Sequence, residues 1–326
     1  MKKRITNLIK SLLPNSVFNI LLLFYSKLKC LSRYYKYAFF SKNHKKSAFL
    51  TRLLFPLRGG IVHTDLSVFF PRLYWYSWEW LIDIVEFGAT ISWNDDEITV
   101  AYDNVKLSTN AVDESINTVF FEMFRDDEYR MDEFNLEGLS ILDVGANIGD
   151  SSIMLVRRGA KKVYAFEPLP ILKKYLIKNI CQNNYEDKIE VHSFGFSDKD
   201  EKVKIYMRKH GTAGTSAILH SQKKMNKKVG HIEQELELID AEKYLKKIGV
   251  DNIDVLKMDC EHCEYVVFKN NQLLSYLNPT MIFLEYHAGY SDLQRLFNET
   301  GYSTKIYKKN DNVGILVATK DGVIID

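Results

Sequence analysis

The chain has 326 residues, of which 46% are hydrophobic and 26% are charged, as in an ordinary globular protein with a sizeable core. This length predicts one large domain with an appendage, or two smaller domains. The net charge of +2 is unevenly distributed, because residues 1–60 hold 13 Lys and Arg and no Asp or Glu, whereas the remainder holds 31 basic and 42 acidic residues. Such an acidic body lacks the basic face that a nucleic-acid substrate requires, so no nucleic-acid partner is predicted.

Residues 1–60 are predicted to form a basic helical arm. Apolar side chains recur at helical spacing between Val17 and Leu31, with lysines between them. The apolar run over 17–25 is shorter than the ~20 residues that a membrane-spanning helix needs. Two interpretations stay open: the arm is a helical cap on the rest of the chain, or it is an amphipathic segment that binds a membrane surface.

Residues 61–135 are predicted to form a β-rich extension that ends in a helix. The β-rich runs 89–93 and 97–102 are joined by a short polar turn, which is typical of a β-hairpin. The aromatic cluster over 74–80 indicates core or subunit packing, with stacking on a sugar face as the alternative. A helix is predicted over 111–124.

Residues 136–326 alternate short apolar runs with helical segments, a pattern typical of a mainly parallel sheet covered by helices. The predicted fold class is therefore α/β, with a Rossmann-like sheet. The predicted strands are 140–144, 162–167, 189–194, 253–258, 280–286, 302–307 and 313–319, with a further β segment over 202–208. The predicted helices are 150–158, 170–183, 240–248, 262–274 and 289–299. The polar residues 209–235 are predicted to form a long loop.

The stretch ILDVGANIGD, which ends at Asp150, predicts a buried strand, a glycine-containing turn and the start of a helix. Gly145 permits a backbone conformation that other residues avoid, and a helix N-terminus presents unpaired N–H groups to a ligand. The dinucleotide fingerprint G-x-G-x-x-G, aligned from Gly145, would need glycines where Asn147 and Asp150 stand. An NAD-linked oxidoreductase is therefore disfavoured.

Asp143, Gly145, Asn147 and Gly149 form the pattern D-x-G-x-N-x-G, which resembles the first motif of class I methyltransferases that use S-adenosylmethionine (SAM). SAM has no pyrophosphate, and its sulfonium and ammonium groups favour a carboxylate such as Asp143 near the loop. Glu167 ends the next predicted strand, about 20 residues after Gly145, where an acid can bind two ribose hydroxyls. The predicted cofactor is SAM.

Longer stretches of the chain resemble the FkbM family of SAM-dependent methyltransferases. They are Leu142–Asp150, Gly159–Pro168 with Asn179, and Ile253–Glu261 with Glu264 and Tyr265 after it. The resemblance implies a class I methyltransferase fold and places the adenine of the cofactor near Ser197 and Asp198. One departure concerns the substrate side, because His262 and Cys263 stand where the family usually has Gly-Ala.

The catalytic candidates follow predicted strands, because open α/β sheets bind ligands at the carboxyl ends of their strands. Methyl transfer to a hydroxyl needs alignment and a base that takes the hydroxyl proton. Asp259, Glu261 and His287 are the candidates for that base, and an ordinary salt-bridged or hydrogen-bonded role is the alternative for each. A divalent ion held by Asp259, Glu285 and a substrate oxygen is a separate alternative.

The four cysteines, Cys30, Cys181, Cys260 and Cys263, do not have the pattern of a disulfide framework, which predicts a reducing compartment. A single C-x-x-C pair is insufficient to predict zinc, and a helix beginning near residue 262 would separate its side chains. No metal is therefore predicted. The predicted location is the cytoplasm, at the inner face of the membrane if residues 1–60 bind it.

The predicted reaction is O-methylation of a hydroxyl on a saccharide or a natural-product-like small molecule. SAM-dependent N-methylation is the alternative enzymatic reaction. A non-catalytic domain that keeps the fold only for binding or scaffolding is an alternative of a different class. The intact cofactor motif argues against that last interpretation, because a scaffold has no need of Asp143, Gly145, Gly149 and Glu167.

Overall fold

A computed structural model describes residues 62–63, 68–69, 83–84, 87–94, 97–110, 116–208, 231–251, 253–269, 271–310 and 312–320. These residues fall into two compact units. One holds the described residues up to Asn104 and Asn110, and the other holds Val105–Thr109 and the described residues from 116 onward. The predicted arm, the aromatic cluster and most of the predicted loop 209–235 lie outside the described residues. The division into 1–60, 61–135 and 136–326 stays a prediction.

The first unit contains two antiparallel strand pairs. Strands β1 (Val62–His63) and β2 (Val68–Phe69) form one pair. Strands β3 (Thr90–Asn94) and β4 (Glu97–Tyr102) form the other, with Thr90 opposite Ala101 and Asn94 opposite Glu97. The alternation along β4 buries Ile98 and Val100, which gives this hairpin its apolar face. The predicted hairpin is confirmed.

The second unit has alternating strands and helices. Its strands are β5 (Val105–Asn110), β6 (Ser140–Val144), β7 (Lys162–Phe166), β8 (Ile189–His192), β9 (Gly195–Ser197), β10 (Glu201–Arg208), β11 (His231–Asp240), β12 (Val255–Met258), β13 (Met281–Tyr286), β14 (Tyr302–Lys309) and β15 (Gly314–Lys320). Its helices are α1 (Ile116–Phe121), α2 (Asp150–Arg157), α3 (Pro170–Gln182), α4 (Ala241–Ile248), α5 (Glu264–Val267), α6 (Gln272–Leu277) and α7 (Ser291–Glu299). A π-helical turn, Glu122–Asp126, follows α1, and a 3-10 turn spans Met131–Glu133.

Seven strands of this unit form one sheet in the order β14-β15-β13-β12-β6-β7-β8. The five strands from β13 to β8 are parallel, and β15 is antiparallel to both of its neighbours. Successive strands extend from β6 to one side and, after the crossover, from β12 to the other. The boundary between β6 and β12 is therefore the topological switch point at which such sheets bind ligands. The predicted mainly parallel, Rossmann-like sheet is confirmed.

The central strands are apolar along their length, as is typical of parallel sheets that are covered on both faces. In β6, Ile141, Leu142 and Val144 are at most 2% exposed, and β12 and β13 are buried in the same way. Two charged residues interrupt this core, Asp143 in β6 and Lys257 in β12, and both are buried. Charges are rarely placed in such a core unless they are paired, so these two residues point to the site.

Strands β10, β11 and β9 form a separate three-stranded sheet, and β10 confirms the further β segment predicted over 202–208. The predicted helix over 262–274 is wrong. Two short helices, α5 and α6, stand there, because Glu261, His262 and Asn271 have positive φ angles that a right-handed helix cannot use. None of the described helices has the length and apolar character of a membrane-spanning segment.

The expectation that the cysteines form no disulfide is also wrong. Cys260 and Cys263 are joined by a disulfide, with their Cα atoms 5.4 Å apart. The sequence interpretation assumed a helix from residue 262, whereas α5 begins at Glu264 and a turn before it brings the two cysteines together. The cysteine pattern therefore no longer supports the predicted reducing compartment.

Candidate functional site

A buried ion pair lies beneath the loop that follows β6. Lys257 is the register partner of Asp143, and its Nζ lies 3.1 Å from Asp143 Oδ1. Asp143 Oδ2 accepts hydrogen bonds from Ser151 Oγ at 2.7 Å and Ser152 Oγ at 2.6 Å. Lys257 Nζ also donates to the carbonyl oxygen of Gly145 at 3.0 Å. The pair thus ties two strands, the loop and the first turn of α2 together.

The surroundings keep Lys257 charged. Burial lowers the pKa of a lysine, but the carboxylates of Asp143, Asp259 and Asp150 outweigh burial, and the pKa of Lys257 is raised. Asp143 therefore has a permanent partner inside the sheet. Its carboxylate acts on the loop through Lys257 and the two serines rather than by opening directly onto the cleft.

The loop requires glycine at two positions, because a Cβ at either position would collide with a neighbouring residue. Gly145 has a φ of +83°, and a Cβ built there would lie 1.7 Å from the backbone oxygen of Asp259. Gly149 has a φ of +92°, and its Cβ would lie 2.8 Å from Leu176 Cδ1. The first glycine lets the loop after β6 touch the loop after β12, and the second lets α2 pack on α3.

A buried amide holds the far end of the loop. Asn179 of α3 donates to the carbonyl oxygens of Ile148 at 2.7 Å and Ser108 at 3.0 Å, and its Oδ1 accepts the N–H of Ser108 at 2.7 Å. Asn179 is fully buried. The loop is therefore fixed at both ends before any ligand binds, which lowers the entropy cost of binding.

Glu167 stands at the end of β7, as predicted, but its carboxylate is occupied by backbone groups. Its Oε2 accepts the N–H of Asn147 at 3.0 Å, and its Oε1 accepts the N–H of Leu169 at 2.8 Å. Burial raises the pKa of Glu167 to about 8 despite these two bonds. Glu167 thus shapes the loop, and its predicted contact with the ribose hydroxyls stays a prediction.

Two buried acceptors in the loop have no hydrogen-bond partner among the residues with a described position. Asn147 Oδ1 and Asp150 Oδ1 accept no hydrogen bond from any residue that the structure describes. Buried polar atoms nearly always have a hydrogen-bond partner. These two acceptors therefore indicate a ligand that brings hydrogen-bond donors to the loop. The ammonium group of SAM is a donor of this kind, and the residues of the loop therefore fit the predicted cofactor.

A cleft opens beside the loop and encloses about 70 Å³. That volume is far below the roughly 300–1,000 Å³ of sites that enclose a drug-sized molecule, so it accommodates one end of a cofactor. Carboxyl groups outnumber basic groups in its lining. The lining residues are Glu122, Met123, Asp127, Glu128, Tyr129, Met131, Gly145, Asn147, Asp150, Ser151, Met154, Arg158, Lys257 and Asp259.

Two acids of the cleft, Glu122 and Asp150, resist ionisation. Burial raises the pKa of Glu122 to about 9, with Glu128 adding to the effect by its charge and by a hydrogen bond. Burial likewise raises the pKa of Asp150 to about 7, against the favourable charge of Lys257. A cation that binds beside such a carboxyl group favours its ionised form, and the two opposite charges then attract each other. The cleft is therefore suited to a positively charged ligand.

The three predicted catalytic residues come together at the carboxyl ends of β12 and β13. His287 Nε2 lies 3.7 Å from Asp259 Oδ1 and 3.6 Å from Glu261 Oε2. On its other side, His287 donates from its backbone N–H to Glu264 Oε1 at 3.1 Å, and its Nδ1 lies 3.1 Å from the same oxygen. Tyr129 Oη donates to Asp259 Oδ2 at 3.0 Å.

The protonation of His287 follows from these neighbours. Burial lowers the pKa of the imidazole, but the hydrogen bond and charge of Glu264 and the charges of Asp259 and Glu261 outweigh it and raise the pKa to about 9. The ring is therefore an imidazolium at neutral pH and already holds its proton. Burial and the charge of Asp259 also raise the pKa of Tyr129 well above its ordinary value, so the phenol remains a neutral donor.

A metal ion has one candidate location in the described part of the chain. Asp259, Glu285 and His287 each offer one ligand atom, and these atoms lie within 4.8 Å of one another. A metal-bound histidine must give up its proton, however, and His287 holds its proton up to a pKa of about 9. Binding of a metal ion at this location would therefore require His287 to lose its proton.

The residues predicted for the adenine lie elsewhere. Ser197 ends β9, is buried and donates from its Oγ to Glu201 Oε1 at 3.2 Å, and Asp198 is exposed. Neither lines the cleft, and their contact with adenine stays a prediction. The sequence interpretation missed Tyr129 and Lys257 as site residues. The sequence does indicate a special role for Lys257, since a lysine in an apolar strand implies a buried partner. No local sequence pattern distinguishes Tyr129.

Comparisons with known proteins agree with this geometry. Residues 143–303 match the family model of the methyltransferase FkbM domain. A curated relative, protein arginine N-methyltransferase 6 of Danio rerio, is 39% identical over 82 residues, which are 23% of this chain and 23% of that protein. The chain thus matches less than a quarter of that relative's length.

Solved structures with low identity are also similar to this chain. A structure described as a transferase from Pyrococcus horikoshii has 14% identity and a TM-score of 0.39, covering 69% of this chain and 71% of that one. The ribosomal protein L11 methylase of Lactobacillus delbrueckii subsp. bulgaricus has 13% identity and a TM-score of 0.33, covering 64% and 79%. Residues 143–303, which include most of the glycine loop and Lys257, are therefore similar to the methyltransferase FkbM domain.

Proposed function

We propose that this protein transfers a methyl group from SAM to a hydroxyl of a saccharide or a natural-product-like small molecule. The single observation that carries the proposal is the position of Asp259. Its carboxylate lines the same cleft as Gly145, Asn147 and Asp150 of the glycine loop, so a proton acceptor stands beside the place proposed for the cofactor. When bound, SAM supplies an electrophilic methyl carbon, and the protein supplies alignment and the base.

The residues proposed to hold the cofactor are those of the loop and its supports. Gly145 and Gly149 allow the close approach of backbone, and Asn147 and Asp150 offer buried acceptors without partners among the described residues. Asp143 acts indirectly, by fixing the loop through Ser151, Ser152 and Lys257. Glu167 holds Asn147 in place, and we propose that it binds the ribose as well. Ser197 and Asp198 remain proposed for the adenine.

Asp259 is the best candidate for the base among the three predicted residues. His287 is already protonated at neutral pH, and it stabilises a negative charge on its neighbours. Burial raises the pKa of Glu261, which His287 only partly offsets. Asp259 faces the cleft, and Tyr129 and His287 orient its two oxygens. We assign Asp259 as the proton acceptor, with Glu261 and His287 positioned around it.

N-methylation of an amine is the second candidate, and one observation favours it. The cleft is rich in carboxyl groups, and an amine acceptor would be held there as a cation before it loses a proton to react. The same carboxyl groups are also explained by the positive charges of SAM itself. The acceptor therefore has to be identified from the product.

The test is identification of the methylated atom. The protein is incubated with SAM that carries a carbon-13 methyl group and with panels of saccharides, hydroxylated small molecules and amines. Products are found by mass shift, and the carbon-13 chemical shift distinguishes O–CH₃ from N–CH₃. The proposal predicts O–CH₃ on a hydroxylated acceptor, and transfer confined to amines would overturn it in favour of the second candidate. Asp292→Asn, an exposed carboxylate on α7, is the matched control for variants of Asp259.

A further inference from the structure

The turn between β12 and α5 is held in an unusual backbone conformation. The disulfide between Cys260 and Cys263 encloses Glu261 and His262, and these two residues have φ angles of 54° and 88°. Positive φ is disfavoured for residues that carry a Cβ, and two consecutive examples need an external constraint. A covalent bond across the same two residues is that constraint.

The turn connects the groups that hold His287. Asp259 precedes Cys260 and Glu264 follows Cys263, and His287 lies between the carboxyl groups of both. Glu261, inside the turn, also lies 3.6 Å from His287 Nε2. A change in the turn would therefore move the carboxyl group of Glu261 relative to the imidazolium.

The same turn is packed against the cofactor loop by backbone alone. The place of a Cβ on Gly145 is 1.7 Å from the oxygen of Asp259 and 3.4 Å from the backbone nitrogen of Cys260. Asp259 also donates its N–H to the carbonyl oxygen of Val144 at 2.9 Å. The start of the turn is thereby fixed to β6 independently of the disulfide, so reduction is expected to release Glu261 and His262 while the glycine loop stays in place.

We propose that the Cys260–Cys263 disulfide is a redox-sensitive bond that positions the acceptor side of the methyl-transfer site. In the oxidised form it holds the carboxyl group of Glu261 beside His287. In the dithiol form the turn leaves the left-handed conformation and methyl transfer slows, while SAM still binds. This inference rests on the proposed function for its effect on catalysis, but not for its effect on the turn.

The exchange needs a reductant of one chemical class, a thiol or dithiol. A thiolate attacks the sulfur of Cys260, which is partly exposed, and the sulfur of Cys263, which is 7% exposed, leaves as a thiolate. A second thiol then displaces Cys260 from the mixed disulfide. Two electrons and two protons pass to the cysteines, and the reductant becomes a disulfide. Cys260 Sγ has no proton to donate in the oxidised form, but as a thiol it can donate to Glu264 Oε2, which lies 3.4 Å away.

The first experiment observes the turn without any acceptor. Cys30→Ser/Cys181→Ser protein, in which only the pair under test remains, is titrated by NMR of its histidine ring protons with and without a dithiol. His287→Asn assigns the resonance, and His192, far along the sheet on β8, is the internal control. We expect the pKa of His287 to be lower in the reduced protein than in the oxidised protein, because Glu261 moves away from the imidazolium, and that of His192 to stay unchanged. Identical His287 titrations in both forms would overturn the proposal.

The second experiment separates positioning from a general effect on the fold. In the same background, reduction or the change Cys260→Ser/Cys263→Ser is expected to lower kcat roughly 10- to 100-fold, since small misplacements of reacting groups have effects of this size. The dissociation constant for SAM is expected to stay within about twofold, because the cofactor loop has its own supports. Equal loss of SAM binding and turnover would contradict a positioning role.

The sharpest control is a rescue by glycine. Glycine adopts positive φ without a constraint, so adding His262→Gly to Cys260→Ser/Cys263→Ser is expected to restore most of kcat and to abolish its response to the dithiol. No recovery would overturn the proposal. If the pKa of His287 responds to reduction but neither redox form methylates any acceptor, the proposed function fails and the redox-sensitive turn stands.

Discussion

Asp143 and Lys257 face each other on the neighbouring strands β6 and β12, with their charged atoms 3.1 Å apart and both side chains at most 3% exposed. The pair lies at the switch point of the sheet, directly below the glycine loop. A buried pair of this kind rarely adds stability compared with apolar residues, because removing two charges from water is costly. The pair instead positions the glycine loop and α2, since Lys257 also donates to the Gly145 carbonyl and Asp143 accepts from two serines of α2.

Removing one charge of this pair should therefore destabilise the protein more than removing both charges. Lys257→Met leaves Asp143 charged and buried, and we expect a loss of about 3–5 kcal/mol in the free energy of unfolding. Lys257→Met/Asp143→Leu should recover much of that loss. Urea denaturation of the single and double variants measures the difference. Equal instability of the single and double variants would show that the two charges are not coupled.

Gly145 should be intolerant of a methyl group for a reason that goes beyond its φ. Gly145→Ala places a Cβ against the oxygen of Asp259, and we expect SAM affinity to fall at least tenfold as the two loops separate. Gly138→Ala is the matched control, because Gly138 has a similar φ of +75° and no atom within 4 Å of its Cβ position. Calorimetric titration with SAM compares the two variants. Similar losses of SAM affinity in both would show that backbone strain at positive φ, and not the contact with Asp259, is the cause.

SAM binding should release protons. The pKa of Asp150 is raised to about 7 and that of Glu167 to about 8, so both carboxyl groups hold part of a proton at neutral pH. A bound cation favours their ionised forms and lowers these pKa values, so the affinity for SAM should rise as pH increases from about 6 to 8. Calorimetry in buffers of different ionisation enthalpy counts the protons released. Asp150→Asn should release fewer, and a binding enthalpy that is independent of the buffer would refute the linkage.

The basic arm leads to a separate prediction, because residues 1–60 carry 13 basic residues and no acidic ones. If the arm binds anionic membranes, each Lys or Arg near the surface contributes about 1 kcal/mol, and the attraction weakens with salt. The full-length protein should then sediment with vesicles that contain anionic lipid at low ionic strength and detach at high ionic strength. Vesicles of zwitterionic lipid are the control. Absence of binding to either would favour the interpretation of the arm as a structural cap.

The sequence predicted the parts of the fold that depend on local pattern. The strands Ser140–Val144 and Met281–Tyr286 and the helix Pro170–Gln182 were found within a residue or two of their predicted bounds, because continuous apolar runs and helical spacing are local signals. The glycine loop was predicted for the same reason. Its residues are consecutive, and their conformational demands are intrinsic to glycine.

The parts that the sequence could not predict depend on distant contacts or on the backbone. Tyr129 reaches Asp259 across 130 positions of the chain, and no local pattern records that contact. The apolar spacing after residue 262 favoured a helix, but the disulfide and the positive φ of His262 override it. The carboxylate of Glu167 was assigned to a ligand from its position alone, whereas the structure shows that it also accepts two backbone N–H groups.

The most direct test of methyl transfer assisted by Asp259 is to measure turnover and SAM affinity together in Asp259→Asn. This change keeps the shape of the side chain and its hydrogen bond with Tyr129 but removes the proton acceptor. We expect kcat to fall by about two to four orders of magnitude, with the dissociation constant for SAM within about threefold of the unmodified protein. Asp292→Asn should leave both unchanged. Near-normal turnover in Asp259→Asn would contradict the assignment of Asp259 as the base.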